Sequence, residues 1–455
     1  MHPFRIYKYF ILINFAILLS LLAFNSCKEE SNPIDPVEKD KPLTGTVSTG
    51  EFTKEITKDI GTGGGTIEIS NSKSPINGFK ITVPQKGYGE TRNFSISTAT
   101  ITNHKLGDNF NPISPLITIK NGGGYSEIPM QIKIPIAKKS DEFIIAFLYD
   151  EVTGKIEALP VIELDASSIT VETRHFASSS LSENNLGKTD NLALTNLVVS
   201  SIKESILLGQ TILNTGFSPG VDDWEFPNYG SYLSTGGHCA GQAITAMWYF
   251  YEKRLKGEPQ LFHNFDRVNE EEEPGFLWED NPLGYRFAST IQEDFSWAGW
   301  VKDINIQSMN PKLTWLTFIA SILFTGEPQF VLLYSTTEKA GHAMIVYKIN
   351  VSEGKLYIAD PNYPNNHSSN GTHSERIITY SNGKLLPYNS LLKVGNPGIV
   401  FDQIGYFAKT ANIKWNQISK RYKELEQKTI GNDRLPEYDL YVKTDSTLFP
   451  LVDGT

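Results

Sequence analysis

The chain has 455 residues, which is enough for two or three domains. Its formal net charge is −10, and the sequence contains neither a basic stripe nor an RNA-binding motif, which argues against nucleic acid as a partner. The two cysteines are Cys27 and Cys239. Because Cys27 ends an export signal, we expect no intramolecular disulfide, so core packing must stabilise the fold.

The first predicted element is that export signal. Arg5 and Lys8 precede an apolar run that begins at Phe10, and small and polar residues follow it. This order is typical of a signal peptide rather than of a structural helix. We therefore expect residues 1–26 to be absent from the mature protein. No later apolar run reaches the roughly 20 residues that a membrane-spanning helix requires.

Residues 22–27, Leu-Ala-Phe-Asn-Ser-Cys, resemble a relaxed bacterial lipobox, and the charged residues 28–32 resemble the acidic tether of Bacteroidetes-type surface lipoproteins. The resemblance implies that Cys27 is lipidated and that the lipid anchors the protein at the outer membrane or cell surface. Residues 27–43 are then a flexible tether, too polar to pack. The alternative is an ordinary secretory peptide that is cut nearby.

Residues 44–180 consist of short β-type runs separated by Gly, Pro and Asn. Polar and apolar residues alternate within the runs, which indicates strands with one buried face. Such runs at short intervals predict an N-terminal antiparallel β-sandwich. The predicted strands are 63–69, 79–84, 93–97, 116–119, 130–135, 142–149 and 168–172.

This segment resembles the ZU5-like β domains. The shared features are a Gly-Gly-Thr opening at residues 64–66, an Ile-x-Ile-Pro strand at residues 132–135 and a closing His-Phe at residues 175–176. The resemblance implies a sandwich of that type before the second domain. The alternative is another immunoglobulin-like sandwich that acts as a spacer, and both give the same architecture.

Residues 190–455 mix helices with strands, which predicts a second domain of the α+β class. A helix is expected from Asn191 to Thr211, because apolar residues recur there at helical spacing. The other predicted helices are 239–256, 314–325 and 415–427, and the predicted strands are 329–334, 342–349, 355–359, 376–380 and 399–407. The expected fold class is multidomain, with a β-sandwich followed by an α+β domain.

Cys239 follows two glycines and His238 and opens a stretch with a helical pattern. The positive end of the helix dipole and the unpaired N–H groups favour a thiolate, which is the reactive form of cysteine. We therefore expect Cys239 to be a nucleophile and His238 to lie at the rim of its site. Otherwise Cys239 is a small buried hydrophobic residue.

Three predicted strands after this helix carry partners for the cysteine. His342 begins the second strand, and Asp360 and Asn362 follow the third. Hairpin connections place such residues side by side. The histidine can accept the thiol proton, and an acid or amide can hold the imidazole in the useful tautomer. The expected catalytic set is Cys239, His342 and either Asp360 or Asn362.

The order of a cysteine helix, a Gly-x-Pro strand, a Gly-His strand and an Asp-Pro strand resembles the C39-like branch of the papain-like cysteine peptidases over residues 228–407. The resemblance implies a papain-like domain with Cys239 as nucleophile, His342 as base and Asp360 as orienting acid. Asn362 is the alternative third member, because papains use asparagine. The family's oxyanion glutamine before the cysteine has no counterpart here, and Asn228 is the expected substitute.

These features predict a surface-anchored cysteine hydrolase that cleaves peptide bonds in a protein or peptide substrate through a thioester. One alternative is a transglutaminase or amidase on the same scaffold. The other is a non-catalytic surface adhesin or binding protein with an inactive papain-like fold. We expect no metal or other cofactor, because no histidine is spaced to join the glutamates at residues 270–273.

Overall fold

The computed structural model describes residues 44–176, 195–265, 283–295, 309–366, 374–390, 398–435, 441–444 and 447–450. The predicted signal peptide, Cys27 and the tether lie outside these residues, as do the glutamates at 270–273. The described part is rich in β-structure and contains several sheets. Its helices are all too short or too polar to cross a membrane.

Two antiparallel sheets form the N-terminal part. One has seven strands, in the order β11-β10-β14-β8-β5-β2 with β7 paired to β14, and the other has five, in the order β12-β13-β9-β4-β3. The strands are β1 Val47–Thr49, β2 Thr53–Ile60, β3 Gly65–Glu68, β4 Lys80–Val83, β5 Arg92–Ala99, β6 Ile101–His104, β7 Asn111–Pro112, β8 Leu116–Lys120, β9 Met130–Pro135, β10 Glu142–Asp150, β11 Ile156–Ala158, β12 Val161–Leu164, β13 Ser168–Thr173 and β14 Thr195–Lys203.

The hydrophobic effect explains why these residues form sheets. In β9 every second side chain is buried, as the alternating pattern predicts. Buried residues of both sheets, among them Phe94 and Ile132, belong to one hydrophobic cluster. The seven strands predicted in this region are confirmed.

The helix predicted from Asn191 to Thr211 is wrong. Residues 195–203 form β14, which pairs with β10 on one side and with β7 and β8 on the other. Leu197, Val198 and Val199 are all buried, because a central strand covered on both faces carries a continuous apolar run whose spacing also fits a helix. Only the short α1, Glu204–Leu208, is helical here. The N-terminal sheets therefore extend past residue 180 to Lys203.

The C-terminal part contains a second seven-stranded sheet, in the order β20-β19-β18-β17-β16-β23 with β15 paired to β17. Its neighbouring strands are antiparallel, and β21 and β22 form a separate ribbon. The strands are β15 Ile212–Asn214, β16 Gln329–Tyr334, β17 Gly341–Asn350, β18 Lys355–Ala359, β19 Arg376–Ser381, β20 Lys384–Leu385, β21 Tyr388–Ser390, β22 Ile399–Phe401, β23 Gln403–Phe407, β24 Tyr441–Thr444 and β25 Thr447–Pro450.

Four longer helices accompany this sheet in the described part: α2 Cys239–Glu252, α3 Leu283–Asp294, α4 Pro311–Thr325 and α5 Trp415–Glu426. Two short 3-10 segments lie at Arg254–Lys256 and Pro364–Asn366. The predicted helices and strands of this part are confirmed, with ends shifted by a few residues, except for the helix at 191–211 and the strand at 399–407. Residues 399–401 and 403–407 form two strands, β22 and β23, which belong to different sheets. Helix α3 was not predicted.

The second seven-stranded sheet is buried on both faces, as alternate residues of β16 show by packing in two different hydrophobic clusters. Phe330 and Leu332 belong to the cluster that contains α2, whereas Val331 and Leu333 belong to the cluster shared with α4 and the N-terminal sheets. Helix α4 touches β10, β11 and β12 on one side and β16 and β23 on the other. The described residues between Lys41 and Thr455 accordingly belong to one compact unit.

Candidate active site

Helix α2 begins at Cys239 because the residues before it turn the chain sharply. Gly237 has φ +112°, which favours glycine, and a Cβ added there would lie 2.8 Å from Oδ1 of Asn228. The same Oδ1 accepts the backbone N–H of His238, the N-cap residue. The side chain of Asn228 thus fixes the turn from which the cysteine helix starts.

Helices α2 and α3 approach closely at Gly241. A Cβ added to Gly241 would lie 2.0 Å from the carbonyl oxygen of Ala288, so only glycine fits. The Gly241 N–H donates to Oε1 of Gln292 at 2.8 Å, which gives a partner to one of the first-turn N–H groups. Gln292 therefore places a side-chain amide beside the start of the cysteine helix.

The structure brings Cys239, His342 and Asp360 together. Cys239 is partly exposed at the first position of α2, His342 is the second residue of β17, and Asp360 follows the paired strand β18. Nε2 of His342 lies 2.7 Å from Oδ1 of Asp360. The imidazole also hydrogen-bonds the Cys239 sulfur. Because Nε2 faces Asp360, Nδ1 is the ring nitrogen left for this bond. The order is sulfur, imidazole, carboxylate.

The carboxylate of Asp360 is surrounded by donors although the residue is only 3% exposed. Oδ2 accepts the hydroxyls of Tyr388 at 2.7 Å and Ser390 at 3.0 Å, and Oδ1 accepts the Asn362 N–H at 2.9 Å. Burial alone would raise the pKa of Asp360, but the charge and hydrogen bond of His342, together with the bonds from Tyr388 and Asn362, hold it below its usual range. Asp360 is therefore ionised at neutral pH.

The imidazole of His342 is buried, and its surroundings favour the protonated form. Burial alone would lower the pKa of His342, but the Asp360 carboxylate and the Cys239 sulfur together raise it to about 10. The Phe401 ring stacks on the imidazole at 5.5 Å between centroids and an interplanar angle of 20°. This stacking fixes the plane of the ring and shields it from water.

Asn362 and Asn228 contact each other, and the imidazole contacts Asp360 rather than Asn362. Nδ2 of Asn362 donates to Ser390 at 2.6 Å, and its Oδ1 accepts Nδ2 of Asn228 at 3.1 Å. The Asn228 backbone N–H donates to Pro361 at 3.0 Å. Only one of the two Nδ2 hydrogens of Asn228 is used in its contact with Asn362.

The expectation that His238 lies at the rim of the site is wrong. His238 is fully buried, with the rings of Tyr285 and Phe226 4.5 Å and 5.9 Å from its own. Neither ring nitrogen has a hydrogen-bond partner in the described part of the chain. Burial lowers the pKa of His238 to about 3. The imidazole is therefore neutral and packs as an aromatic residue.

Sequence reasoning missed Tyr388, Ser390, Phe401 and Gln292. Tyr388 and Ser390 lie 28 and 30 residues after Asp360, and Gln292 lies 51 residues after Gly241. No local pattern marks any of them, because each reaches the site only through long-range packing.

No protein-family model matches the chain, and a comparison with curated proteins finds no match. Among the described residues, no three His, Cys, Asp or Glu side chains are grouped to hold a metal ion.

Proposed function

We propose that the protein is a cysteine hydrolase with a papain-like domain of the C39-like type, and that it cleaves peptide bonds. The observation that supports this most is the buried Asp360–His342 pair set against Cys239 at the first turn of α2. A cysteine that only fills space needs neither an ionised buried carboxylate nor a charged imidazole beside it.

The proposed reaction has two halves. The Cys239 thiolate attacks the carbonyl carbon, and the His342 imidazolium donates its proton to the leaving nitrogen as the C–N bond breaks. The product is a thioester on Cys239 and a free amine. A water molecule then gives a proton to His342 and attacks the thioester, which releases the acid and restores the thiolate. The Cys239 N–H and the Asn228 amide are the proposed donors to the oxyanion.

The test uses the purified protein, a mixture of unlabelled peptides and mass spectrometry. We expect new peptide termini with the native chain and none with Cys239→Ala, while Cys239→Ala keeps the native melting temperature. Iodoacetamide should alkylate Cys239 at neutral pH faster than a free model thiol. Incorporation of an added amine without hydrolysis would favour a transglutaminase. An unreactive thiol would favour the non-catalytic adhesin.

We also propose that the N-terminal sheets are a ZU5-like sandwich and that a lipid on Cys27 holds the protein at the outer membrane or cell surface. Cys27→Ser should then move the protein from the membrane fraction to the soluble fraction, because one cysteine carries the anchor. The matched control, Cys239→Ser, should stay with the membrane. A processed Cys27→Ser protein that still sediments with membranes would contradict the proposal.

A further inference from the structure

A continuous series of hydrogen bonds joins the start of the cysteine helix to the acid of the site. The His238 N–H donates to Asn228, Asn228 donates to Asn362, and Asn362 donates to Ser390. Ser390 then donates to Oδ2 of Asp360 at 3.0 Å. The first donor is a backbone N–H, and each later donor is the side chain that follows in the series, so the bonds polarise one another in the same direction.

The series closes on itself through the catalytic residues. Oδ1 of Asp360 accepts Nε2 of His342, and the imidazole reaches the sulfur of Cys239, the residue after His238. Asn228, Ser390 and Asp360 are 9%, 3% and 3% exposed. Water therefore competes poorly at these three residues, whereas Asn362 is partly exposed, and a change at one member displaces its neighbours.

The β21–β22 ribbon supplies the end of the series at Asp360. Tyr388 pairs with Phe401 across the ribbon, and Ser390 pairs with Ile399. Tyr388 and Ser390 both donate to Oδ2 of Asp360, while Phe401 stacks on His342. One small ribbon therefore contacts both the acid and the base of the site.

We propose that Tyr388 and Ser390 are positioning residues that act through Asp360, and that Asn362 acts through Ser390. This inference rests on the proposed cysteine hydrolase. The two hydroxyls fix the rotation of the carboxylate, so that Oδ1 stays on Nε2 and Nδ1 stays on the sulfur. Asn362 has no direct bond to the imidazole in this arrangement. It orients the Ser390 hydroxyl.

The test compares Tyr388→Phe and Ser390→Ala with Tyr406→Phe. Tyr406 is also buried, but its hydroxyl bonds Gln329 at 2.9 Å, away from Asp360. Each positioning variant should lower kcat roughly tenfold to a hundredfold with KM unchanged, because a hydrogen bond to a charged group is lost. Both should move the midpoint of iodoacetamide alkylation of Cys239 to higher pH. Tyr406→Phe should change neither, and Ser390→Thr should restore most of the loss.

A double-mutant cycle separates positioning from general loosening of the fold. In an Asp360→Asn background, Tyr388→Phe and Ser390→Ala should each change kcat less than about twofold, because the charge through which they act is gone. Additive effects, or an unchanged alkylation profile with only a lower melting temperature, would overturn the inference. A wild-type thiol no more reactive than a model thiol would overturn both proposals. Shifted alkylation without peptide cleavage would overturn the peptidase alone.

Discussion

Arg174, the residue after β13, donates its backbone N–H to the carbonyl oxygen of Ala411 at 2.8 Å. Its guanidinium is 2% exposed and donates to the carbonyl oxygens of Ser126 at 2.8 Å and Asn412 at 3.4 Å. Residues 411 and 412 lie between β23 and α5. Helix α5 in turn packs on the cysteine helix, with the rings of Tyr422 and Trp248 4.8 Å apart. Arg174 thereby connects the N-terminal sheets to the segment that leads into α5, the helix that packs on the cysteine helix.

Arg174→Ala should lower the free energy of unfolding by about 2–5 kcal/mol, because it leaves buried carbonyl groups without partners. Urea denaturation measures the change. The control is Arg434→Ala. The exposed Arg434 side chain pairs with Asp294, which Arg421 also binds, and its loss should lower the free energy of unfolding by less than about 1 kcal/mol. Equal effects of the two variants would contradict the inference that Arg174 stabilises the connection between the N-terminal sheets and residues 411 and 412.

Replacing Cys239 or His342 by alanine should lower kcat by at least about a thousandfold, because the nucleophile or the base is lost. Asp360→Ala should leave more activity, because Phe401 still holds the plane of the imidazole. Steady-state kinetics on a cleaved peptide measure the losses. If Asn362→Ala proved more damaging than Asp360→Ala, asparagine would be the third member, as in papains.

The β-rich part of the fold could be predicted because a strand with one buried face has apolar and polar residues in alternation. In β9, Met130, Ile132 and Ile134 are buried while Gln131 and Lys133 are exposed. The same argument fails for β14. Its residues are buried on both faces, so no alternation separates a strand from a helix there.

Some residues of the candidate site could likewise be predicted from the sequence, and others could not. Cys239, His342 and Asp360 were predictable because each stands at the end of a recognisable helix or strand, in a fixed order along the chain. Tyr388 and Ser390 were not, because the β21–β22 ribbon lies outside the sheet that carries His342. Only the three-dimensional packing shows which carboxylate oxygen they contact.

Peptide hydrolysis should lose rate on the alkaline side as His342 loses its proton near pH 10. The sign follows from its role, since the imidazolium donates the proton to the leaving amine. Asp360→Asn should move this limb to lower pH, because the carboxylate raises the pKa of His342. The profile of kcat/KM against pH measures the position of this alkaline limb. Asp165→Asn, in a turn of the N-terminal sheets, is the control, and an unmoved limb in Asp360→Asn would contradict the assignment.

Two buried histidines should make the protein sensitive to acid. Burial lowers the pKa of His175 and of His238 to about 3, whereas a histidine in the unfolded chain titrates near 6.5. Below about pH 6.5 the unfolded chain binds protons that the native protein does not. The stability present at higher pH is therefore lost as the pH falls from about 6.5 toward 3, by about 2 kcal/mol per histidine between pH 7 and pH 5.

His238→Phe tests this sensitivity, because the neighbouring rings of Phe226 and Tyr285 suit an aromatic replacement. Urea denaturation at pH 7 and pH 5 should show that the variant loses about 2 kcal/mol less than the native protein on acidification. His263→Asn, at an exposed histidine, should keep the native difference. If His238→Phe lost as much stability between pH 7 and pH 5 as the native protein, the imidazole of His238 would have to accept a proton within the folded protein.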